Sequence, residues 1–169
     1  MQAHRFVAAL FIVTVGVSSD SSGQASSRVD NVTASLVGTW RLVLADDRPD
    51  TKSKWVHTYG EHPKGYLAYD RMGHMFLQIA NDPPTPPFAS GDDDKPTAHE
   101  AETAYANYAA YFGTYSVDAV RHVVTHHVEG SLEPSYTGTD QERPYKLKGD
   151  TLELTDGQTW RRVWVRVAT

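Results

Sequence analysis

The sequence predicts a single mostly-β domain: one antiparallel barrel of about eight to nine strands with one helix at a barrel end. Three observations carry this. Short β-rich runs recur along the chain and end in Gly, Asp or Pro turns. Only one stretch shows a helical period. The 169 residues contain no cysteine, yet 40% are hydrophobic, so the chain can build a core without disulfides.

Charge and composition exclude several function classes. Lys plus Arg is 16 and Asp plus Glu is 21, giving a net charge of −5. A mildly acidic chain lacks the basic footprint of a nucleic-acid binder or an anionic-membrane binder. Without cysteine there is no thiolate metal site, no Cys nucleophile and no lipidated Cys anchor.

The chain opens with Arg5, then the apolar run Phe6 to Val17, then a polar stretch of small residues ending at Ala25. This is the layout of a secretory signal, residues 1–25, with cleavage expected after Ala25. The run is too short to span a bilayer comfortably, so the mature chain is expected to have no integral membrane segment. The expected location is secreted or periplasmic. Residues 26–35 show no period and read as a flexible leader.

Strands follow from Leu36. Leu36 to Leu44 ends in the turn cluster Asp46-Asp47-Arg48-Pro49-Asp50, and Lys54 to Tyr59 is stopped by Gly60 and Pro63. Gly65 to Tyr69 and His74 to Ile79 flank Asp70-Arg71-Met72-Gly73, a short hairpin turn. Asn81 to Lys95 carries four prolines and Asp92-Asp93-Asp94, and reads as a loop. Thr97 and Glu100 form a capping box. Behind it Ala98, Ala101, Tyr105, Tyr108 and Phe112 recur at steps of three and four, which predicts a helix over 97–112 closed by Gly113. Its aromatic stripe should bury against a barrel mouth, so that Tyr105 and Tyr108 reach the interior, or else against the outer wall. Thr114 to Val117, His122 to Leu132, Gln141 to Lys148, Thr151 to Leu154 and Thr159 to Val167 complete the strands, with turns at Gly149-Asp150 and Asp156-Gly157.

Several segments resemble one family. Leu36-Val37-Gly38-Thr39-Trp40-Arg41-Leu42 looks like the Gly-x-Trp opening of lipocalin and wider calycin barrels. Lys64-Gly65-Tyr66-Leu67, Phe88 to Asp92, Tyr111 to Tyr115, Val124 to Leu132 and Gly138 to Gln141 extend the likeness, in order, to the lipocalin-like domain family. The resemblance implies a calycin-like β-barrel over residues 36–168 and, by itself, no particular chemistry. It also implies a structural group: Gly38, Trp40 across one barrel end, and an arginine of the last strand, Arg166 before Arg162, stacked on Trp40. In that strand Trp160, Arg162, Trp164 and Arg166 share one face, and either face could be inward.

The candidate chemistry is sparse. Alternation along Val124 to Leu132 sends His126 and His127 to opposite sides, so the two cannot chelate one metal. His127 and Glu129 share a face about 7 Å apart. They could be a general acid–base pair, could hold a ligand's polar group, or could simply lie on a polar face. His99-Glu100 lacks the second histidine of a zinc helix, and no phosphate-cradling glycine loop occurs. No metal and no cofactor are expected. Aromatic side chains supply apolar area with polar tips for a pocket. Eleven aromatics are candidates for lining or closing a pocket: Trp55, Tyr66, Tyr69, Phe76, Tyr105, Tyr108, Tyr115, Tyr136, Tyr145, Trp160 and Trp164. Of these, Tyr66, Phe76, Tyr105, Tyr108, Tyr115 and Tyr145 are the expected ligand contacts, beside His127 and Glu129. Binding of a small, largely apolar molecule inside the barrel is the leading expectation. The alternatives are an isomerase or cyclase of the same fold using His127 and Glu129, and a surface-acting envelope protein.

Overall fold

The structure, a computed structural model, describes residues 31–168. The expected signal at 1–25 lies outside the described residues. Nine strands run in order: β1 (Gly38–Asp47), β2 (Val56–His57), β3 (Lys64–Tyr69), β4 (His74–Ala80), β5 (Tyr108–Asp118), β6 (Val123–Ser131), β7 (Asp140–Lys148), β8 (Thr151–Thr155) and β9 (Trp160–Arg166). One helix, α1 (Ala98–Ala106), lies between β4 and β5. Every pairing is antiparallel, and β1 pairs with both β3 and β9, so eight strands close a barrel. The two-residue β2 adds to the far end of β1, opposite Asp46 and Asp47. No described helix is long and apolar enough to cross a membrane.

Alternation decides what fills the barrel. On β4, Met75, Leu77 and Ile79 are buried while His74, Phe76 and Gln78 are exposed. On β6, Val124, His126 and Val128 face in. The inner set Trp40, Leu42, Leu67, Tyr69, Leu152, Leu154 and Trp164 joins them in one core. On β9 the Trp160–Arg162–Trp164–Arg166 face is therefore the inward one, since Trp164 is fully buried and pairs across to Leu42.

One barrel end is closed by contacts around Trp40. Its indole N–H donates to the Leu36 carbonyl at 2.9 Å. The Arg166 guanidinium lies 4.1 Å from the Trp40 ring centroid and donates to the carbonyls of Val37 and Ser35. Gly38 sits at φ +139°, and a Cβ there would meet Arg166 Nη1 at 2.7 Å. Residues 31–36 are helical and bring Val32 and Leu36 onto the core, in place of the unstructured leader expected there.

The helix is shorter than its sequence pattern suggests. The capping box forms: Thr97 Oγ1 accepts from the Glu100 amide, and Glu100 accepts from the Thr97 amide. The helix stops at Asn107, however, and Tyr108 to Phe112 belong to β5, paired with Phe76 to Ala80 of β4. Gly113, expected to end the helix, lies inside β5 at a bulge, where a Cβ would collide with the His127 carbonyl oxygen. A spacing of four between Tyr108 and Phe112 fits one face of a helix and one face of a strand equally well; the β4 ladder decides for the strand.

Candidate functional site

The end of the barrel away from Trp40 is open. A cavity of about 600 Å³ enters the interior there, within the roughly 300–1,000 Å³ typical of small-molecule sites. Leu77, Ile79, Ala109, Leu154 and Trp164 form apolar wall, and Tyr59, Tyr111, Tyr136 and Trp160 add aromatic surface. Tyr105 and Ala106, at the end of α1, and Tyr108, at the start of β5, stand on the rim. The helix buries no residue of its own, so it edges the mouth without plugging it. A second, shallower cavity lies between α1 and the proline-rich segment, bounded by Pro84, Ala101, Ala104 and Leu132.

Charge in the open end is arranged unequally. Asp47 and Arg162 pair through both carboxylate oxygens, at 3.0 and 2.8 Å. The neighbouring, fully buried Asp46 takes Arg161 at 2.6 Å and His57 Nδ1 at 2.6 Å. Arg48 turns onto the Trp55 ring, 4.2 Å from its centroid, and donates to the Gln158 carbonyl. Glu133 accepts from Tyr105 and Ser135 hydroxyls. Arg143 has no carboxylate within ion-pair distance among the described residues. Its guanidinium lies 5.3 Å from the Trp160 ring centroid and 5.7 Å from that of Tyr136, with long bonds of 3.3 and 3.4 Å to Gln141 Oε1 and the Glu142 carbonyl.

Below the cavity lies a buried polar row. His126 Nε2 is 2.7 Å from the Tyr69 hydroxyl and His126 Nδ1 is 2.9 Å from that of Tyr111. Burial, with the Arg143 cation adding to it, lowers the His126 pKa to about 3, so the imidazole is neutral. A neutral ring offers one donor and one acceptor. Tyr69 is fully buried with no other hydroxyl partner among the described residues, so its proton must go to Nε2 or be orphaned at a cost of about 1–3 kcal/mol. His126 therefore carries its proton on Nδ1 and donates it to the Tyr111 oxygen. The Tyr111 hydroxyl hydrogen is left for the cavity that Tyr111 lines. Burial pushes the Tyr111 phenol up, and the nearby Arg143 guanidinium works against that rise.

The structure separates the residues singled out from sequence. Tyr105 and Tyr108 are at the rim, where Tyr108 donates to Gln78 Oε1 at 3.0 Å. Tyr66 and Phe76 do not line the interior: they are exposed on the outer wall, because the β3–β4 register sends Leu67, Met75 and Leu77 inward. Tyr115 and Tyr145 face inward but away from the cavity. Tyr115 packs 4.7 Å from the Tyr69 ring and donates to the Asp70 carbonyl, and the buried Tyr145 stacks edge-on with His122.

His127 and Glu129 share a face, and that face is the outside of the barrel. His127 Nδ1 is 2.7 Å from Asp140 and its Nε2 is 3.0 Å from Ser116 Oγ. Hydroxyl, imidazole and carboxylate thus stand in a row like that of a hydrolase. The row lies on open sheet, Asp140 is 67% exposed, and neither cavity includes any of the three residues. Nothing beside it holds an acyl group or excludes water. A reaction of an interior ligand at His127 and Glu129 loses its geometric basis.

Sequence reasoning missed His126, Tyr111 and Arg143 as site residues; Tyr136 and Trp160, which it named among the aromatic candidates, do line the cavity. One signal was available: His126 alternates with Val124 and Val128, apolar company that marks an inward face, whereas His127 alternates with Thr125, Glu129 and Ser131.

An eight-stranded antiparallel barrel, closed at one end by a stacked Trp–Arg pair and open at the other onto an aromatic cavity, defines the class: a small internal-cavity β-barrel. The chain belongs to the lipocalin-like domain family, whose model matches residues 37–166. It is also similar to the 4'-hydroxy-3'-methoxypropiophenone carrier protein of Aspergillus oryzae, with 39% identity over 75 residues. That match covers 40% of this chain and 62% of the relative, less than two thirds of its length.

Proposed function

We propose that this protein is an exported carrier that binds one small, largely apolar molecule in the open end of its barrel. The observation that carries the reading is the cavity of about 600 Å³ walled by Leu77, Ile79, Leu154, Trp160 and Trp164. Burying a ligand against such a wall is worth roughly 25 cal/mol per Å² of apolar surface before the costs of immobilising it. The relative named as a carrier supports binding over catalysis. Export rests on the Arg5, Phe6–Val17 and Ala25 pattern.

The test is titration with the neutral fluorescent probe N-phenyl-1-naphthylamine, in wild type and in two filled variants, Ala109→Trp in the wall and Ala106→Trp on the exposed rim. Saturable one-to-one binding to wild type, weakened in both folded variants, supports the reading. Absence of binding to wild type, or equal binding in both variants, overturns it. Circular dichroism establishes that each variant is folded, and the rim position keeps the test informative if Ala109→Trp overpacks the core.

A further inference from the structure

We infer that the natural ligand is an aromatic carboxylate, its acid group seated on the Arg143 guanidinium and the Tyr111 hydroxyl. The inference rests on the cavity reading above and adds the chemistry that the cavity selects.

The cation is the first argument. Of the charged groups around the cavity, Asp47 and Arg162 neutralise each other, Glu133 is held at the rim by Tyr105 and Ser135, and Arg48 is turned onto Trp55. Arg143 alone enters the interior without a carboxylate among the described residues. A guanidinium offers five N–H donors in a planar fork; those of Arg143 make long bonds to Gln141 and the Glu142 carbonyl, and the group also stands beside the Tyr111 hydroxyl, so that one ligand acid group can meet both. The rings of Trp160 and Tyr136, with centroids 5.3 and 5.7 Å away, pack beside the guanidinium on the cavity wall.

The second argument is the neighbouring hydroxyl. The Tyr69–His126–Tyr111 row commits the Tyr111 oxygen as acceptor from His126 Nδ1, so its own hydrogen is a donor available to the cavity. Two donors of this kind, one charged and forked, match the two oxygens of a carboxylate, which accepts up to about four hydrogen bonds and donates none. A neutral amide or ketone of the same shape offers one oxygen and no charge.

The third argument is the remainder of the wall. Leu77, Ile79, Ala109 and Leu154 offer no polar side-chain atom, while the rings of Trp160, Tyr111 and Tyr136 offer stacking faces. The body attached to the acid group must therefore be apolar, and a planar ring uses these faces best.

Calorimetric titration of wild type with 2-naphthoate and with its neutral analogue 2-naphthamide tests the inference, alongside N-phenyl-1-naphthylamine. The acid should bind at least about tenfold more tightly than the amide, the usual scale of a charged hydrogen-bonded contact. Arg143→Met should erase that preference, bringing the acid-to-amide affinity ratio to about one whatever it does to the two affinities together, and Arg143→Lys should restore part of it. Tyr111→Phe should reduce the preference by less than Arg143→Met does. Equal binding of acid and amide to wild type overturns the inference, as does an undiminished preference in Arg143→Met; in either case the neutral probe still binds and the cavity reading stands. If the neutral probe fails to bind wild type, the cavity reading falls and this inference falls with it. The acid-to-amide ratio separates a ligand contact from a merely structural role, because a weakened fold lowers both affinities together.

Discussion

His126 donates from Nδ1 to the Tyr111 hydroxyl oxygen at 2.9 Å, so a residue wholly inside the barrel sets the hydrogen-bonding role of a residue on the cavity wall. The cost of placing an imidazole there shows as pH dependence. Unfolded, His126 has the ordinary pKa near 6.5; folded, burial lowers it to about 3. The unfolded chain then takes up a proton that the folded chain refuses. Stability from this residue is complete above pH 6.5 and is lost as pH falls from there toward about 3. Between pH 7 and pH 5 the loss should be about 2 kcal/mol. Urea unfolding at the two pH values, compared with His126→Asn, checks it: the variant should show a shallower decline, and parallel declines would contradict the assignment.

The closed end makes a separate prediction about stability. Gly38→Ala places a methyl group against Arg166 at a positive φ and should cost about 1–3 kcal/mol. Arg166→Ala removes the stack on Trp40 and the bonds to the Val37 and Ser35 carbonyls, and should cost about 2–3 kcal/mol. Thermal unfolding measures both. Because the cavity is at the other end, affinity for N-phenyl-1-naphthylamine should stay within about twofold of wild type.

Outer-wall positions should be indifferent to binding. Tyr66, Phe76, His127 and Glu129 all project away from the interior. Alanine at His127 or Glu129 should leave ligand affinity unchanged and stability within roughly 0.5–1 kcal/mol of wild type. A large loss of affinity in either variant would place the ligand on the outside.

The polar stretch of small residues after the apolar N-terminal run leads to a prediction about the mature chain. Protein recovered from its native host should begin near Ser26, read by N-terminal sequencing. Intact Met1 on the exported protein would contradict export through a cleaved signal.

Much of the barrel was legible because strands advertise themselves by alternation. Met75, Leu77 and Ile79 against His74, Phe76 and Gln78 give the β4 face directly, and the turns at Gly73 and Gly149 lie where the chain reverses. Two things were not legible. Tyr105, Tyr108 and Phe112 satisfy a helical step, and only the ladder between β4 and β5 shows that the last two are strand. The site itself depends on which side of the sheet closes inward and on which acids reach which arginines. Arg162 and Arg143 look alike in sequence, yet Asp47 neutralises one and no described carboxylate reaches the other. Pairing across strands distant in the chain is a property of register, which no local pattern states.

The central claim is that the ligand sits inside the open end of the barrel, and amide chemical-shift mapping during titration with N-phenyl-1-naphthylamine tests it most directly. The account predicts that the largest shifts cluster at Leu77, Ile79, Ala109, Tyr111, Leu154 and Trp160, around the cavity. Shifts confined to the outer wall, at Tyr66, Phe76 and Phe112, with the interior unmoved, would contradict it.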